Sequence, residues 1–184
     1  MPRIKGVNLA HTRDFVEAEY GLEGWAAVGA ELSTPTRHAI ESALAVGWYP
    51  AELHVELLHA IVRALGPREE AILRHVSAHD AEYDVTRIHR LLFRFATPPF
   101  LLEKVGEIWL RYYDAGRWTV ERPTPTSTRA TLHAFDVADP LYCAYLGGFF
   151  VRLWELVGAT DVRLRHPVCR AKGDTVCRWD GQWR

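Results

Sequence analysis

Two hydrophobic rhythms divide this chain. As far as Tyr113, apolar residues recur mostly at steps of three and four, the period of amphipathic helices; from Arg117, pairs of alternating segments flank one further helical stretch. Ile4 to Leu9 reads as a short strand or an extended arm. A helix opens at Thr12 or Asp14, carries Phe15, Ala18 and Glu19, and stops near Gly21. Leu22 to Leu32 gives a second short helix, and Ser33-Thr34-Pro35 opens a third through Leu44. Gly47-Trp48-Tyr49-Pro50 reads as a break followed by a helix start, since proline is tolerated in a first turn. Leu53, Leu57, Leu58, Ile61 and Leu65 form the stripe of a strong amphipathic helix from Pro50 to Leu65, broken by Gly66-Pro67. Another helix runs from Arg68 to about Asp84, and Val85 to Phe95 continues helically. Thr97-Pro98-Pro99 sets a boundary before a helix from Phe100 to Tyr113, which closes at Gly116.

The remainder alternates. Arg117 to Glu121 and Arg129 to Asp136 read as two strands joined by a proline-rich hairpin loop, Arg122 to Ser127. Pro140 to Val157 is a helix with the stripe Cys143, Leu146, Phe150, Leu153 and Val157, ended by Gly158. Asp161 to Val168 places Val162, Leu164 and His166 on one face. Thr175 to Trp183 places Cys177, Trp179 and Trp183 on one face, and Arg170 to Asp174 supplies the turn between them. The order helices-ββ-α-ββ predicts an α+β fold with a helical layer packed on one face of a small antiparallel sheet. Residues 1–184 read as one domain, mostly helical over 1–116, with the ββ-α-ββ part over 117–184.

Chemistry concentrates in the last quarter. All three cysteines lie there and join one histidine in the spacing C-x22-H-x2-C-x7-C: Cys143, His166, Cys169 and Cys177. The predicted helix, paired strands and turn could bring them together, and three sulfurs with one imidazole suit tetrahedral Zn²⁺ as a closed structural site. Plain buried thiols are an equal reading of the spacing, and a Cys169–Cys177 hairpin disulfide a weaker one. His75 and His79 stand four apart on one helix face. The sequence between them is Val76-Ser77-Ala78, without the glutamate of a metalloprotease motif, so they read as a partly buried or solvated pair. His54, His59, His75 and His79 leave a haem site formally open. Arg87, Arg90 and Arg94 form a row that reads first as a solvated face.

Bulk properties narrow the classes. The chain has 184 residues, 48% of them hydrophobic, which is length and apolar content enough for a sizeable core. Net charge is −1 without a basic block, which argues against a nucleic-acid partner. No apolar run is long enough to span a bilayer, and Met1 to Lys5 lacks the apolar core of a signal peptide. With modest cysteine use, a cytoplasmic location is the expectation. There is no nucleophile elbow, no phosphate-cradling glycine loop and no credible carboxylate pair for acid–base work.

The ending Cys143…His166…Cys169…Cys177, with Gly173-Asp174 in the last gap, resembles the C-terminal part of 4-vinyl reductase domains and of the sensor domains of phenol-responsive bacterial activators. In those activators three cysteines and a glutamate at this spacing bind zinc; His166 stands here in the glutamate's place. Lys5-Gly6, Trp48-Tyr49-Pro50 and Trp109 with Arg111 to Gly116 add a resemblance across nearly the whole chain to a myxobacterial paralogous family of similar length. The resemblance implies the fold shared by 4-vinyl reductase domains and transport-particle subunits.

The leading expectation is therefore a non-enzymatic sensor module with structural Zn²⁺. Its relatives bind hydrophobic or aromatic small molecules between the helices and the sheet, and Trp48, Tyr49, Phe93, Trp109, Tyr112, Tyr113, Phe149, Phe150 and Trp154 are the candidate wall, although each also serves as ordinary core. Signalling would pass through a separate protein or a second copy of the chain in a homodimer. The alternative is a dimeric scaffolding adaptor of the transport-particle type with no exchanging ligand. A tetrapyrrole-related enzyme stands last, because a four-ligand zinc has no open position.

Overall fold

The computed structural model of the chain describes residues 1–66, 69–85 and 96–184. Helices α1 (Gly6–Glu31), α2 (Thr34–Glu41), α3 (Ala51–Leu65), α4 (Glu69–Tyr83) and α5 (Pro98–Tyr112) precede a hairpin of β3 (Arg117–Glu121) and β4 (Ser127–His133). Then come α6 (Pro140–Leu156), β5 (Arg163–Val168) and β6 (Cys177–Gln182). Short strands β1 (Arg3–Lys5) and β2 (Trp48–Pro50) pair separately near the N-terminus. The α+β architecture with helices on a small antiparallel sheet is thus observed, with an added two-stranded ribbon.

The main sheet has the order β3-β4-β6-β5, all antiparallel. Its period-two pattern turns Trp118, Ala130, Leu132, Cys177 and Trp179 inward. Cross-strand register sets Trp118 opposite Leu132, Leu132 opposite Cys177 and Ala130 opposite Trp179. α6 lies between this sheet and α4. Asp139 caps it by accepting a 2.9 Å hydrogen bond from the Tyr142 N–H, and Pro140 occupies its first turn, where a missing donor costs nothing. Asp139 also meets His59 Nε2 of α3 at 2.8 Å, which anchors the start of α6 to the helical layer.

Several boundaries differ from the sequence pattern. The extended arm ends at Lys5, because the Gly6 and Val7 N–H groups donate to the Gly47 and Ala45 carbonyls and helix begins there. The helix expected to stop near Gly21 does break there: α1 kinks at Gly21, whose φ of 68° is available to glycine at little cost. A second helical segment follows from Leu22 as expected, whereas the first begins at Gly6 rather than at Thr12 or Asp14. The third helix stops at Glu41. Trp48 to Pro50 is a strand rather than a helix start, since β1 supplies a pairing partner that no local periodicity reveals. β4 begins at Ser127 and ends at His133, where Ala134 takes a positive φ of 51° and breaks the strand. The stretch expected to be helical from Val85 to Phe95, with its arginine row, lies almost wholly outside the described residues.

At β6 the backbone leaves no room for a side chain. A Cβ on Gly181 would sit 2.4 and 2.5 Å from two ring atoms of Trp154, which is itself buried. The expected result for Gly181→Ala is a loss of about 1–3 kcal/mol of stability by overpacking, read as a lower urea midpoint at unchanged m-value.

Candidate metal centre and aromatic cavity

The four expected ligands converge. Cys143 comes from the first turn of α6, His166 from β5, Cys169 from the end of β5 and Cys177 from the start of β6. Their donor atoms all lie within 4.8 Å of one another. Cys143 Sγ is 3.7 Å from Cys169 Sγ and 4.0 Å from Cys177 Sγ. Zn–S bonds of about 2.3 Å in a tetrahedron put sulfurs about 3.8 Å apart, whereas a disulfide needs about 2.05 Å. The spacing has the first geometry, and all three cysteines are free thiols, each 5% exposed or less.

Local structure explains the convergence. A register shift between Arg165 and Val168 sets His166 in a bulge against Trp179, and the two rings stack at 4.3 Å with only 3° between their planes. His166 Nε2 is buried with no hydrogen-bond partner of its own, and the ring stands beside the three sulfurs. After Cys169 the chain makes one tight turn. Asp174 Oδ2 accepts from the Cys169 N–H at 2.8 Å, the Arg170 N–H donates to Cys177 Sγ at 3.4 Å, and Gly173 closes the turn at a φ of 99°. Arg170 then ties the turn to Thr175 O and Asp136. The Cys143 hydrogen bond holds the Cys177 thiol down to about 4, with the His166 ring and the Arg170 N–H adding to the effect against burial. The same bond and burial push the Cys143 thiol up. The cluster borders a wider cleft of about 870 Å³ between α4, α6 and β5.

On the sheet side of α6 is a smaller cavity of about 90 Å³. Trp109, Tyr112, Tyr113, Phe149, Phe150 and Trp154 of the expected aromatic wall line it. Trp48 and Tyr49 do not: they sit on β2, where Trp48 is 37% exposed and stacks beneath Lys5 Nζ at 4.1 Å. Phe93 lies outside the described residues. Asn8, Asp84, Trp118 and Trp179, which were not among the expected wall residues, also line it. Trp109 stacks on Tyr113 at 3.7 Å and meets Trp118 edge-on, so this wall is rigid.

Beyond the cavity runs a buried polar network. Thr12 and Tyr145 hydroxyls both donate to Asp80 Oδ2, at 2.9 and 2.8 Å, and His79 Nδ1 meets Oδ1 at 3.2 Å. That contact raises the His79 pKa. His75 is exposed, so the two do not act as a pair. Because the Thr12 proton is committed to Asp80, His54 Nε2 must be the donor in its 2.9 Å contact with Thr12, leaving a neutral ring with Nδ1 buried and bare. Burial lowers the His54 pKa to about 3. The sequence signal for this network was available: His54 falls on the Leu57-Leu58-Ile61 stripe, and Asp80 and Asp84 continue the Leu73-Val76 stripe. A polar residue on an apolar stripe marks a buried partner.

No protein-family model and no curated protein matches the chain. Solved structures do match it along its length. An H-NOX protein from K. algicida, in the Fe(II) unliganded state, superposes with a TM-score of 0.74 at 15% identity, covering 98% of this chain and 97% of that one. An H-NOX protein from S. oneidensis in the Fe(II)NO state gives 0.73 at 12%, covering 98% and 99%. An oxygen-binding H-NOX domain related to soluble guanylate cyclases gives 0.71 at 10%, covering 98% and 95%. The chain has the fold of H-NOX proteins.

The neutral buried His54 sets an acid limit on stability. Its folded pKa lies below its ordinary value of 6.5, so the unfolded chain takes the proton first as pH falls. The stability that goes with neutral His54 is complete above 6.5 and lost progressively toward pH 3, at about 1.4 kcal/mol per unit. His54→Gln keeps a donor to Thr12 and cannot titrate. Denaturant titrations of both proteins from pH 6.5 to 4.5 should show the wild type losing the larger share of its stability.

Proposed function

We propose that this chain is a small-molecule sensor module: a structural Zn²⁺ held by Cys143, His166, Cys169 and Cys177 fixes α6 to the sheet, and an aromatic or hydrophobic ligand enters the cavity beneath α6. The observation that carries the reading is the position of that cavity, lined by aromatic side chains at the junction of the helical layer and the sheet, beside the same helix that brings Cys143 to the His166, Cys169 and Cys177 cluster of β5 and β6. Its occupation would bias the placement of the helices against a sheet that zinc holds still, and a partner protein or second copy would read the change. The 4-vinyl reductase and phenol-sensor resemblance agrees with this arrangement of zinc and pocket. So does the H-NOX fold, whose matched members carry gas ligands such as NO and oxygen.

One matched structure concerns haem redox potential and porphyrin distortion, so the cavity must be tested against haem. Among the described residues its lining holds no histidine, cysteine, lysine or arginine. Its phenols at Tyr112, Tyr113 and Tyr145 are pushed up by burial, away from the ligating phenolate. It presents a carboxyl group, which repels rather than pairs with the propionates of an anionic porphyrin. The described lining does not fit haem. The metal chemistry that does fit is the closed thiolate–imidazole set, where zinc contributes folding energy on the order of 10 kcal/mol.

The adaptor reading draws on a different observation. Leu44 and Val46 are 68% and 80% exposed beside the part-exposed Trp48, an apolar surface of the kind that dimerising proteins cover.

Elemental analysis of untagged protein purified without chelator should give one zinc per chain. Cys177→Ser should lose or labilise the metal together with much of the thermal stability, and His166→Glu should retain it. Three freely titrating thiols and no metal would overturn the zinc assignment. For the cavity, phenol and its alkyl homologues should raise Tm in a concentration-dependent way, by about 2.7 kcal/mol of stabilisation at a hundred times Kd. Leu102→Trp, which fills the cavity from α5, should abolish the shift; an equal shift in that variant would place binding elsewhere.

A further inference from the structure

The cavity is not uniformly apolar. Asn8, Asp84, Tyr112, Tyr113 and Tyr145 bring polar groups to its lining, and Asp84 and Tyr112 are hydrogen-bonded to each other at one end. Asp84 stands just past the end of α4, is 8% exposed, and its Oδ1 is buried without a hydrogen-bond partner. An unpaired carboxyl oxygen in an apolar cavity costs several times what a satisfied one does, and it persists where something else completes it. Resting on the sensor reading above, we infer that this end of the cavity recognises a protonated amine carried on a small aromatic body.

The surroundings of Asp84 set the charge of the ligand. From α1, His11 Nδ1 stands 3.8 Å from Oδ1, beyond hydrogen-bond reach. From α4, Asp80 adds a second carboxylate one turn away; from α5, the Tyr112 hydroxyl bonds the carboxyl group; from α6, Tyr145 already gives its proton to Asp80. Burial, then the Asp80 charge, push the Asp84 carboxyl up to about 8, against the Tyr112 bond. One acidic group in the described lining, a second carboxylate at Asp80 behind it and no lysine, arginine or histidine in that lining disfavour any anion. An ammonium group answers both: it restores the carboxylate, supplies the missing donor to Oδ1 and lies beside the faces of Trp109, Tyr112 and Tyr113, which favour cations. The aromatic body of the ligand then occupies the Phe149, Phe150 and Trp118 end.

Benzylamine, benzyl alcohol and toluene share a ring and differ in the head group, which makes them the probes. Isothermal titration of the full chain at pH 7.5 should show benzylamine binding about tenfold or more tighter than benzyl alcohol, the margin of a charge-assisted hydrogen bond over a neutral one. Its affinity should rise from pH 6 to 8, because an alkylammonium stays protonated while Asp84 loses its proton. Asp84→Asn, which has no charge to lose and should fold at least as well, should bind benzylamine no more tightly than benzyl alcohol and should show no pH dependence. Equal or weaker binding of benzylamine in the wild type, or a preference that survives in Asp84→Asn, overturns the amine assignment and leaves the cavity reading intact. Failure of all three probes to bind overturns both.

Discussion

α6 is the constraint on which the other elements depend. Its first two turns carry three attachments in different directions. Asp139 meets His59 of α3, Cys143 faces the sulfurs of the β5–β6 turn, and Tyr145 reaches Asp80 of α4. Tyr142, between them, is 1% exposed, with its hydroxyl 3.4 Å from that of Tyr113. The other end of the helix, around Phe149 to Trp154, borders the aromatic cavity and is held to α4 by the Arg152–Glu82 pair. The arrangement divides the labour along one helix: an anchored N-terminal half beside the thiol cluster and a C-terminal half over a space that something can enter.

The N-terminal ribbon locks a second junction. Arg3 pairs with Asp114 through both its backbone N–H and its guanidinium, at 2.6 Å each, and Ile4 bridges to Tyr113 while pairing with Tyr49. Lys5 lies over Trp48, and the Trp109 indole closes the turn after α5 by donating to Ala115 O at 2.7 Å. Lys5-Gly6, Trp48-Tyr49-Pro50 and the Trp109 to Gly116 segment are far apart in sequence, yet they form one contact region. Their shared appearance as short motifs has a packing cause: each is one side of a joint that ties the chain's start to the end of α5, beside the cavity.

Much of this was legible in the chain and some was not, for physical reasons. The α6 stripe, the alternation of β5 and β6 and the four-residue ligand spacing are local patterns, and local patterns fix which side chains share a face. They could not show that the sulfurs stand at tetrahedral rather than disulfide distance, because that depends on the bulge at His166 and the turn after Cys169. β2 was read as a helix start because its partner, Arg3 to Lys5, is more than forty residues away. Trp48 and Tyr49 were placed with the aromatic wall on composition alone, and pairing with β1 holds them in the N-terminal ribbon, outside the cavity lining. Asp84 was passed over for the converse reason: a single acid near a helix end looks solvated until the helices that bury it are in place.

The fold of H-NOX proteins and the chemistry of this cavity therefore make separate statements. A TM-score above 0.7 at 10–15% identity says that the backbone layers are shared, while side chains are free to differ almost everywhere. Here they differ in a definite sense. A site for an anionic tetrapyrrole needs an iron ligand and cations, and the described lining offers a carboxyl group, three protonated phenols and a small amide among aromatic rings. Among the described lining residues the carboxyl group disfavours an anionic occupant. β5, at the edge of the sheet, and α6 meet at the Cys143, His166, Cys169 and Cys177 cluster, so the candidate metal site and the aromatic cavity border the same helix from different sides.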